Sequence, residues 1–351
     1  MKKQSKLSYK VVDFLRFPLI MVVVLIHCNY IEKSNINIQV SAPIFYHVID
    51  LLGRYIYSIA VPLFFFISGY LFFREGILSF GLCKLKLKKR IRTLVIPYIA
   101  WNSIGLILFL LKISPLLINY FPQYADFKIS ISNLLQGYIS LPYGEQYMPY
   151  DLALWFIRNL IIILSLAPLI NLLFKYLRGF SILIPILLNC IHPNLLFGCP
   201  ANLYYFMLGA LFPVLHTDLS EFIRKVKWYT LIIWAVTIIV SYILNCYSFI
   251  VTTTGIFAVI YLGYLAVILG YHIPVSINRS TFFIYAFHAL YISIATTFIL
   301  NLIPPSNELR SFVSYSLIFV LLAGGSFIVF KVSYHYIPQF INLLCGGRIK
   351  T

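Results

Sequence analysis

Acidic residues are scarce in this sequence: Asp and Glu number 10 against 27 Lys and Arg, and charged residues make up only 11% of the 351 residues. Soluble domains carry about 25% charged residues, so an ordinary soluble fold is excluded. Long polar stretches that would mark a separate soluble domain are also missing. The sequence instead has 61% hydrophobic residues and a mean hydropathy of +0.90, which indicate an integral membrane protein.

Motifs of soluble enzymes are absent as well. The sequence contains no P-loop, GxGxxG, GxSxG or HExxH motif, which argues against the usual nucleotide-binding, hydrolase and metalloprotease sites. Its 6 cysteines show no CxxC pair and no spacing typical of a metal site, so no metal is expected and buried free thiols are favoured over disulfides. Any chemistry must therefore come from polar residues inside the apolar segments.

Apolar windows of about 20 residues, long enough to cross the ~30 Å hydrocarbon layer, recur along the whole chain. They predict an all-α polytopic membrane protein with about ten spans. The windows lie near residues 12–31, 44–73, 93–113, 151–174, 180–193, 200–215, 228–246, 250–269, 280–300 and 311–336. The pieces 180–193 and 200–215 are short, so each could be a tilted helix or part of a half-buried hairpin.

Most of the 27 lysines and arginines fall on the same side of these windows as the N-terminus. The positive-inside rule predicts that this side is the cytoplasm, and an even number of spans then places both termini there. The net charge of +17 is therefore mainly a topology signal, with membrane lipids rather than nucleic acid as the expected partner. The polar segment at about 114–150 is predicted to be an outer loop that could cap an opening.

The first window carries polar residues along one face. Arg16 and His27 are 11 positions apart, so at about 100° per residue they differ by only about 20° around a helix. Asp13 lies within about 60° of both. Alone, Arg16 is best explained as an interfacial anchor, and His27 as a residue tolerated near the outer end. Their shared face, about 16 Å long, instead favours a functional line through the bilayer.

A second histidine lies in the window 280–300. His288 follows Tyr285 by three positions in the stretch FFIYAFHALYI, so the hydroxyl and the imidazole can lie side by side on one helix face. The pair is either part of a site or a satisfied packing pair between helices. The residues alone favour neither interpretation.

Six motifs, in order along the chain, resemble the acyltransferase 3 family of membrane acyltransferases. They are RFPLIMVVVLIH at 16–27, VPLFFFISGYLFF at 61–73, KKRIRTLVIPYIAWN at 88–102, LWFIRNL at 154–160, YYFMLGA at 204–210 and FFIYAFHAL at 282–290. The resemblance runs from residue 9 to about 346. It implies a single transmembrane acyltransferase domain over residues 1–351 without an appended soluble domain, most similar to short members that O-acetylate surface polysaccharides.

The resemblance also implies a reaction and a location. The acyl group, most often acetyl, would come from cytoplasmic acyl-CoA as a co-substrate, with no permanently bound cofactor. The acceptor would be a hydroxyl of a cell-envelope glycan or lipid-linked glycan, and the protein would lie in a bacterial inner membrane. His27 would act as general base or become acylated itself, with Arg16 towards the donor.

Further site residues follow from the same resemblance. The donor site would comprise a basic rim that clamps phosphates and a pair of small residues that permits close approach, at Lys89, Arg90, Arg92, Ser68 and Gly69. Plain helix packing is an equally good explanation of the small pair. The acceptor site would be lined by Trp155, Arg158, Tyr285 and His288, although a Trp at this depth is also typical of an interfacial anchor.

Where family members often have Arg-Asp, this chain has Arg158-Asn159, so no carboxylate role is assigned there. Two other classes of function also fit a polytopic membrane protein. A transporter or flippase of a glycan or acyl carrier would be favoured by inverted repeats, and no clear internal repeat is present. A non-enzymatic assembly or sensor subunit would need partner motifs that the short loops do not offer.

Overall fold

A computed structural model describes residues 2–31, 36–120, 127–140, 148–246 and 249–349. Within these ranges the chain forms helices and turns but no strand, which confirms the predicted all-α fold. The α-helices are α1 (Lys2–His27), α2 (Ile38–Ser41), α3 (Pro43–Tyr55), α4 (Ala60–Phe72), α5 (Phe80–Arg90), α6 (Ile96–Lys112), α7 (Ile131–Gln136), α8 (Trp155–Ser165), α9 (Ala167–Leu177), α10 (Leu183–Ile191), α11 (Cys199–Val214), α12 (Leu219–Val226), α13 (Tyr229–Ile243), α14 (Phe249–Ile268), α15 (Val275–Leu302), α16 (Glu308–Tyr336) and α17 (Pro338–Leu344).

Several helical stretches of the described chain are long and apolar enough to cross a membrane, which confirms a polytopic fold. Six meet this condition: Pro43–Phe72, Phe80–Lys112, Ala167–Ile191, Phe249–Ile268, Val275–Leu302 and Glu308–Tyr336. A seventh results if α11 and α12, which are bent by 98°, form one broken span. Three predicted windows coincide with helices outside this set. The first is α1, which carries the charged residues Lys10, Asp13 and Arg16, and the other two are the shorter helices α8 and α13. The number of about ten spans stays a prediction.

Two predicted windows are wrong in their boundaries. The window 151–174 is interrupted at Leu166, where α8 ends and α9 begins with a proline in its first turn. The window 180–193 is continuous with α9 through a 3-10 turn at Arg178–Ile182, so that Ala167–Ile191 is one apolar stretch. Proline cannot donate the backbone hydrogen bond that would continue α8, and average hydropathy does not register that break.

The first helix lies inside the bundle. It contacts α4, α12, α14, α15 and α16, and its apolar side is buried through Val11, Leu15, Leu19, Val23 and Val24. Gly263 of α14 allows α1 and α14 to approach closely, because a Cβ at this position would lie 2.7 Å from the Leu15 side chain. The apolar side of α1 is therefore covered by other helices, whereas the side chains of Arg16 and Asp13 keep 45% and 56% of their surface exposed.

Two glycines bring α4 and α11 into backbone contact. A Cβ on Gly69 would lie 1.8 Å from the backbone oxygen of Phe206, and a Cβ on Gly209 would lie 1.9 Å from that of Phe66. Small residues that let helix backbones approach are typical of membrane helix interfaces. This contact accounts for Gly69 by helix packing, and the donor contact assigned to Ser68 and Gly69 stays a prediction.

Candidate active site

The helices α1 and α15 run side by side in the same direction. The side-chain amide of Asn278, in the first turn of α15, donates to Oδ2 of Asp13, in the middle of α1, at 3.0 Å. Further along, the rings of His27 and His288 lie with centroids 5.3 Å apart and a tilt of 45°. Asp13 and His27 thus share the face of α1 that is turned towards α15, in agreement with their helical spacing.

The end of α1 around His27 is fixed by neighbouring side chains. The Tyr315 hydroxyl of α16 donates to the carbonyl of Leu25 at 2.9 Å, and the Cys28 thiol donates to the carbonyl of Val24 at 3.2 Å. The Tyr30 hydroxyl donates to the carbonyl of Ser311 at 2.8 Å. The His27 side chain is half-buried, so a firmly held backbone presents a ring that a ligand can reach.

His288 lies fully buried on α15. Its Nδ1 is 3.0 Å from the carbonyl oxygen of Ile284. Because a carbonyl only accepts, we assign the hydrogen to Nδ1, which leaves Nε2 as an acceptor. Within the described residues Nε2 has no hydrogen-bond partner, and the imidazole of His27 is its polar ring neighbour. The two imidazoles are therefore in ring contact, and no hydrogen bond joins Nε2 of His288 to His27 within the described chain.

Tyr285 makes a contact between helices. Its hydroxyl donates to the carbonyl of Ala153, just before α8, and its ring packs against Phe282 and Phe156 at centroid distances of 5.9 and 6.2 Å. This geometry fits the packing interpretation of Tyr285. A contact of Tyr285 with the acceptor stays a prediction.

Arg158 and Asn159 connect α8 to two loops. The buried Arg158 donates from Nη1 to the carbonyl of Ile139 at 2.7 Å and from Nε to Oδ1 of Asn159 at 3.1 Å, and its guanidinium lies 4.2 Å from the centre of the Phe197 ring. The Asn159 amide donates to the carbonyl of Phe197 at 3.1 Å. These contacts hold the described part of the predicted outer loop against α8; residues 121–126 and 141–147 of that loop lie outside the described ranges.

Trp155, at the start of α8, is half-buried and packs against the core. The acceptor-binding roles predicted for Trp155 and Arg158 remain predictions.

A buried carboxylate that the sequence motifs did not reveal lies just before α8. Asp151 is fully buried, its Oδ1 accepts from the backbone N–H of Ala153 at 3.2 Å, and its Oδ2 has no hydrogen-bond partner within the described chain. The only sequence signal for it was an acidic residue at the edge of the window 151–174.

The predicted basic rim is divided between two places. Arg90 is half-buried and interacts electrostatically with Arg16 at the inner end of the polar stripe. Arg16 itself is paired with Asp13, Nη1 to Oδ1, at 3.0 Å. Lys89 and Arg92 are exposed, and Arg92 lines an open cavity of about 380 Å³ between the start of α6 and α17. Of the three rim residues, Arg90 is the one the structure brings to the stripe.

The chain belongs to the Acyltransferase domain family, which matches residues 9–331. Several of its helices are long and apolar enough to cross a membrane, which fits a multi-pass membrane protein. It is 30% identical, over 169 residues, to the succinoglycan biosynthesis protein ExoH of Rhizobium meliloti (strain 1021). That similarity covers 45% of this chain and 43% of the relative, so the chain spans less than half the length of the relative it matches. No solved structure matches it significantly.

Proposed function

We propose that this acyltransferase moves an acyl group, most simply acetyl, from cytoplasmic acyl-CoA to a hydroxyl of a cell-envelope glycan or lipid-linked glycan, in a bacterial inner membrane. The observation that carries the proposal is the contact of His27 on α1 with His288 on α15, whose ring centroids lie 5.3 Å apart. Arg16 lies on α1, three helical turns before His27. Support for a polysaccharide acceptor comes from the relative named for succinoglycan biosynthesis.

In this reaction His27 is the general base. One nitrogen of its ring takes the proton from the acceptor hydroxyl while the oxygen attacks the carbonyl carbon of the thioester. A carbon–oxygen bond forms and the carbon–sulfur bond breaks. The proton on His27 then passes to the leaving thiolate, which gives an ester and free coenzyme A. His288 holds the other nitrogen of His27 in its N–H form and so acts through His27.

The donor enters from the cytoplasmic side. Arg16 and Arg90, with Lys89 and Arg92 further out, bind its phosphates through charge-assisted hydrogen bonds. About 16 Å of α1 separate Arg16 from His27, and the extended arm of the donor spans this distance along the polar stripe.

The proposal is tested by replacing His27 with alanine and measuring acylation of envelope glycans by mass spectrometry. We expect acylation to fall by about 10²- to 10⁴-fold, the usual contribution of a general base, with unchanged amounts of protein in the membrane. His192→Ala removes an exposed histidine just after α10 and should leave acylation at the wild-type level. Normal acylation in the His27→Ala protein contradicts the assigned role, and a wild-type protein that moves glycan without forming any ester would be a transporter.

A further inference from the structure

Residues 127–140, here called the α7 segment, belong to the predicted outer loop but run back along α6. The Phe127 ring packs against Phe109 at a centroid distance of 4.9 Å, and the Tyr138 hydroxyl lies 2.8 Å from Oγ of Ser103. Phe109 is in the last turn of α6, whereas Ser103 is near the middle of that helix. The α7 segment therefore reaches about halfway along α6.

The position of Ser103 gives the depth of this contact. Arg92 and Lys112 flank the apolar part of α6 and are 20 residues apart, which at about 1.5 Å per residue is ~30 Å, the thickness of the hydrocarbon layer. Ser103 precedes Lys112 by 9 residues, or ~13 Å. The contact with Ser103 therefore lies near the middle of the layer. The chain returns at the same depth, where the N–H of Asp151 donates to Oδ1 of Asn102 at 3.2 Å.

The outward side of the α7 segment is apolar. The side chains of Ile131 and Leu135 are 79% and 63% exposed, and those of Ile129 and Ile139 are exposed as well. Residues 129–140 include no charged residue. Large exposed aliphatic side chains gathered in one short segment mark a surface that another apolar phase covers.

The backbone of the α7 segment is satisfied within the protein. All seven consecutive carbonyls from Asn133 to Ile139 accept a hydrogen bond, although the helix α7 ends at Gln136. Four accept from backbone N–H groups, and three accept from side chains: Leu134 from the Tyr150 hydroxyl, Tyr138 from the Tyr98 hydroxyl and Ile139 from the Arg158 guanidinium. A loop in water leaves such carbonyls to the solvent, whereas within a bilayer each must be paired inside the protein.

We propose that the α7 segment is a re-entrant element inserted into the half of the hydrocarbon layer next to Lys112, with Ile131 and Leu135 in contact with lipid acyl chains. Non-helical backbone is tolerated at this depth where the protein supplies its hydrogen bonds, as the side chains around the segment do here. The partner of this surface is the hydrocarbon of the bilayer. The segment then forms part of the wall of the protein within the membrane, and does not cap an opening from outside.

The test is the collision rate of a nitroxide on single cysteines of the full-length chain in nanodiscs. The three variants are Leu135→Cys, Ile107→Cys on the exposed side of α6 and Lys84→Cys on the exposed side of α5, each without the native cysteines. Lys84 precedes Arg92 by 8 residues, about 12 Å outside the layer. We expect O2, which concentrates in hydrocarbon, to relax the labels at Leu135 and Ile107 more than a water-soluble nickel complex does, with the reverse order at Lys84.

Two results overturn the proposal. A label at Leu135 that is relaxed mainly by the nickel complex, as at Lys84, places the segment in water. A label at Leu135 that neither reagent reaches places it against protein, such as a second copy of this chain, and removes the lipid contact.

A second measurement keeps the native cysteines and so does not depend on folding of the cysteine-free chain. Tyr150→Phe removes only the hydroxyl that donates to the carbonyl of Leu134 at 3.0 Å, and Tyr176→Phe removes an exposed hydroxyl of α9. Within hydrocarbon no water replaces the lost donor, so we expect Tyr150→Phe to lower the Tm in nanodiscs by about 2–6 °C and Tyr176→Phe to keep the wild-type Tm. An unchanged Tm in Tyr150→Phe means that water reaches this carbonyl and overturns the proposal.

Discussion

At the scale of single residues, the hydrogen on one histidine determines how the other can react. Nδ1 of His288 faces the carbonyl of Ile284, so its Nε2 can only accept a hydrogen bond. In the proposed reaction the His27 ring turns to donate its N–H to this nitrogen, and the second nitrogen of His27 keeps the lone pair that a base needs. His288 is fully buried and His27 is half-exposed, so His27 is the ring that can meet an acceptor hydroxyl.

We therefore expect His288→Phe to lower kcat about 10- to 100-fold, because the charged His27 ring of the transition state loses a hydrogen bond of about 1.5–3 kcal/mol. The KM values for donor and acceptor should change little if His288 acts through His27 and not on the substrates. His288→Gln offers an amide oxygen as acceptor and should recover part of kcat. A rise in acceptor KM with unchanged kcat would instead favour the direct substrate contact predicted for His288.

The sequence predicted some of these residues and not their partners. Helical periodicity was enough to place Asp13, Arg16 and His27 on one face, because that relation is local. The meeting of His27 with His288 depends on how α1 packs against α15, which no local pattern encodes. Arg348 was recognised only as a cytoplasmic charge, because its contacts with Thr93 and Phe282 join segments far apart in the chain.

At the scale of helices, the crossing of α4 and α11 has no room for a side chain. A Cβ on Gly69 would lie 1.8 Å from the backbone oxygen of Phe206, and neither backbone can yield without separating the helices. We expect Gly69→Ala to lower the free energy of unfolding by about 1–3 kcal/mol or more. The measurement is the Tm of the purified protein in detergent.

The matched control is Gly53→Ala on α3, where nothing lies within 4 Å of the added Cβ. Alanine is the better helix former by about 1 kcal/mol, so this variant should keep or raise the Tm. Should Gly69→Ala instead keep the wild-type Tm while raising the KM for acyl-CoA, the donor contact assigned to Ser68 and Gly69 would be favoured over packing.

The existence of apolar helices was predictable from hydropathy, but where they break was not. The window 151–174 is apolar on both sides of Leu166, where α8 ends and α9 begins. The break follows from the proline in the first turn of α9, which lacks a backbone N–H. The π-helical turn at Ile91–Val95 had no sequence signal beyond the basic cluster. Both irregularities span only a few residues, and averages over about 20 residues conceal them.

At the scale of the whole molecule, the arrangement of charges predicts its orientation. Cys246 is a free, exposed thiol just after α13, on the predicted outer side. In a variant that retains only this cysteine, a membrane-impermeant maleimide should label intact spheroplasts. Lys84→Cys, introduced into a variant from which all native cysteines are removed, lies on the exposed side of α5 and should be labelled only after permeabilisation. The opposite pattern would reverse the predicted topology.

The central place of α1 has a consequence for how the protein is made. This helix is synthesised first, yet much of its surface is covered by α14, α15 and α16, which the ribosome produces last. Until they arrive, Asp13 and Arg16 have no α15 beside them, and membrane insertion of a helix with such charges is costly. We therefore expect the nascent first helix to wait in a polar or protein-lined setting, such as the translocon or an insertase, and the face that α1 shares with α15 to be completed only after nearly the whole chain has been translated.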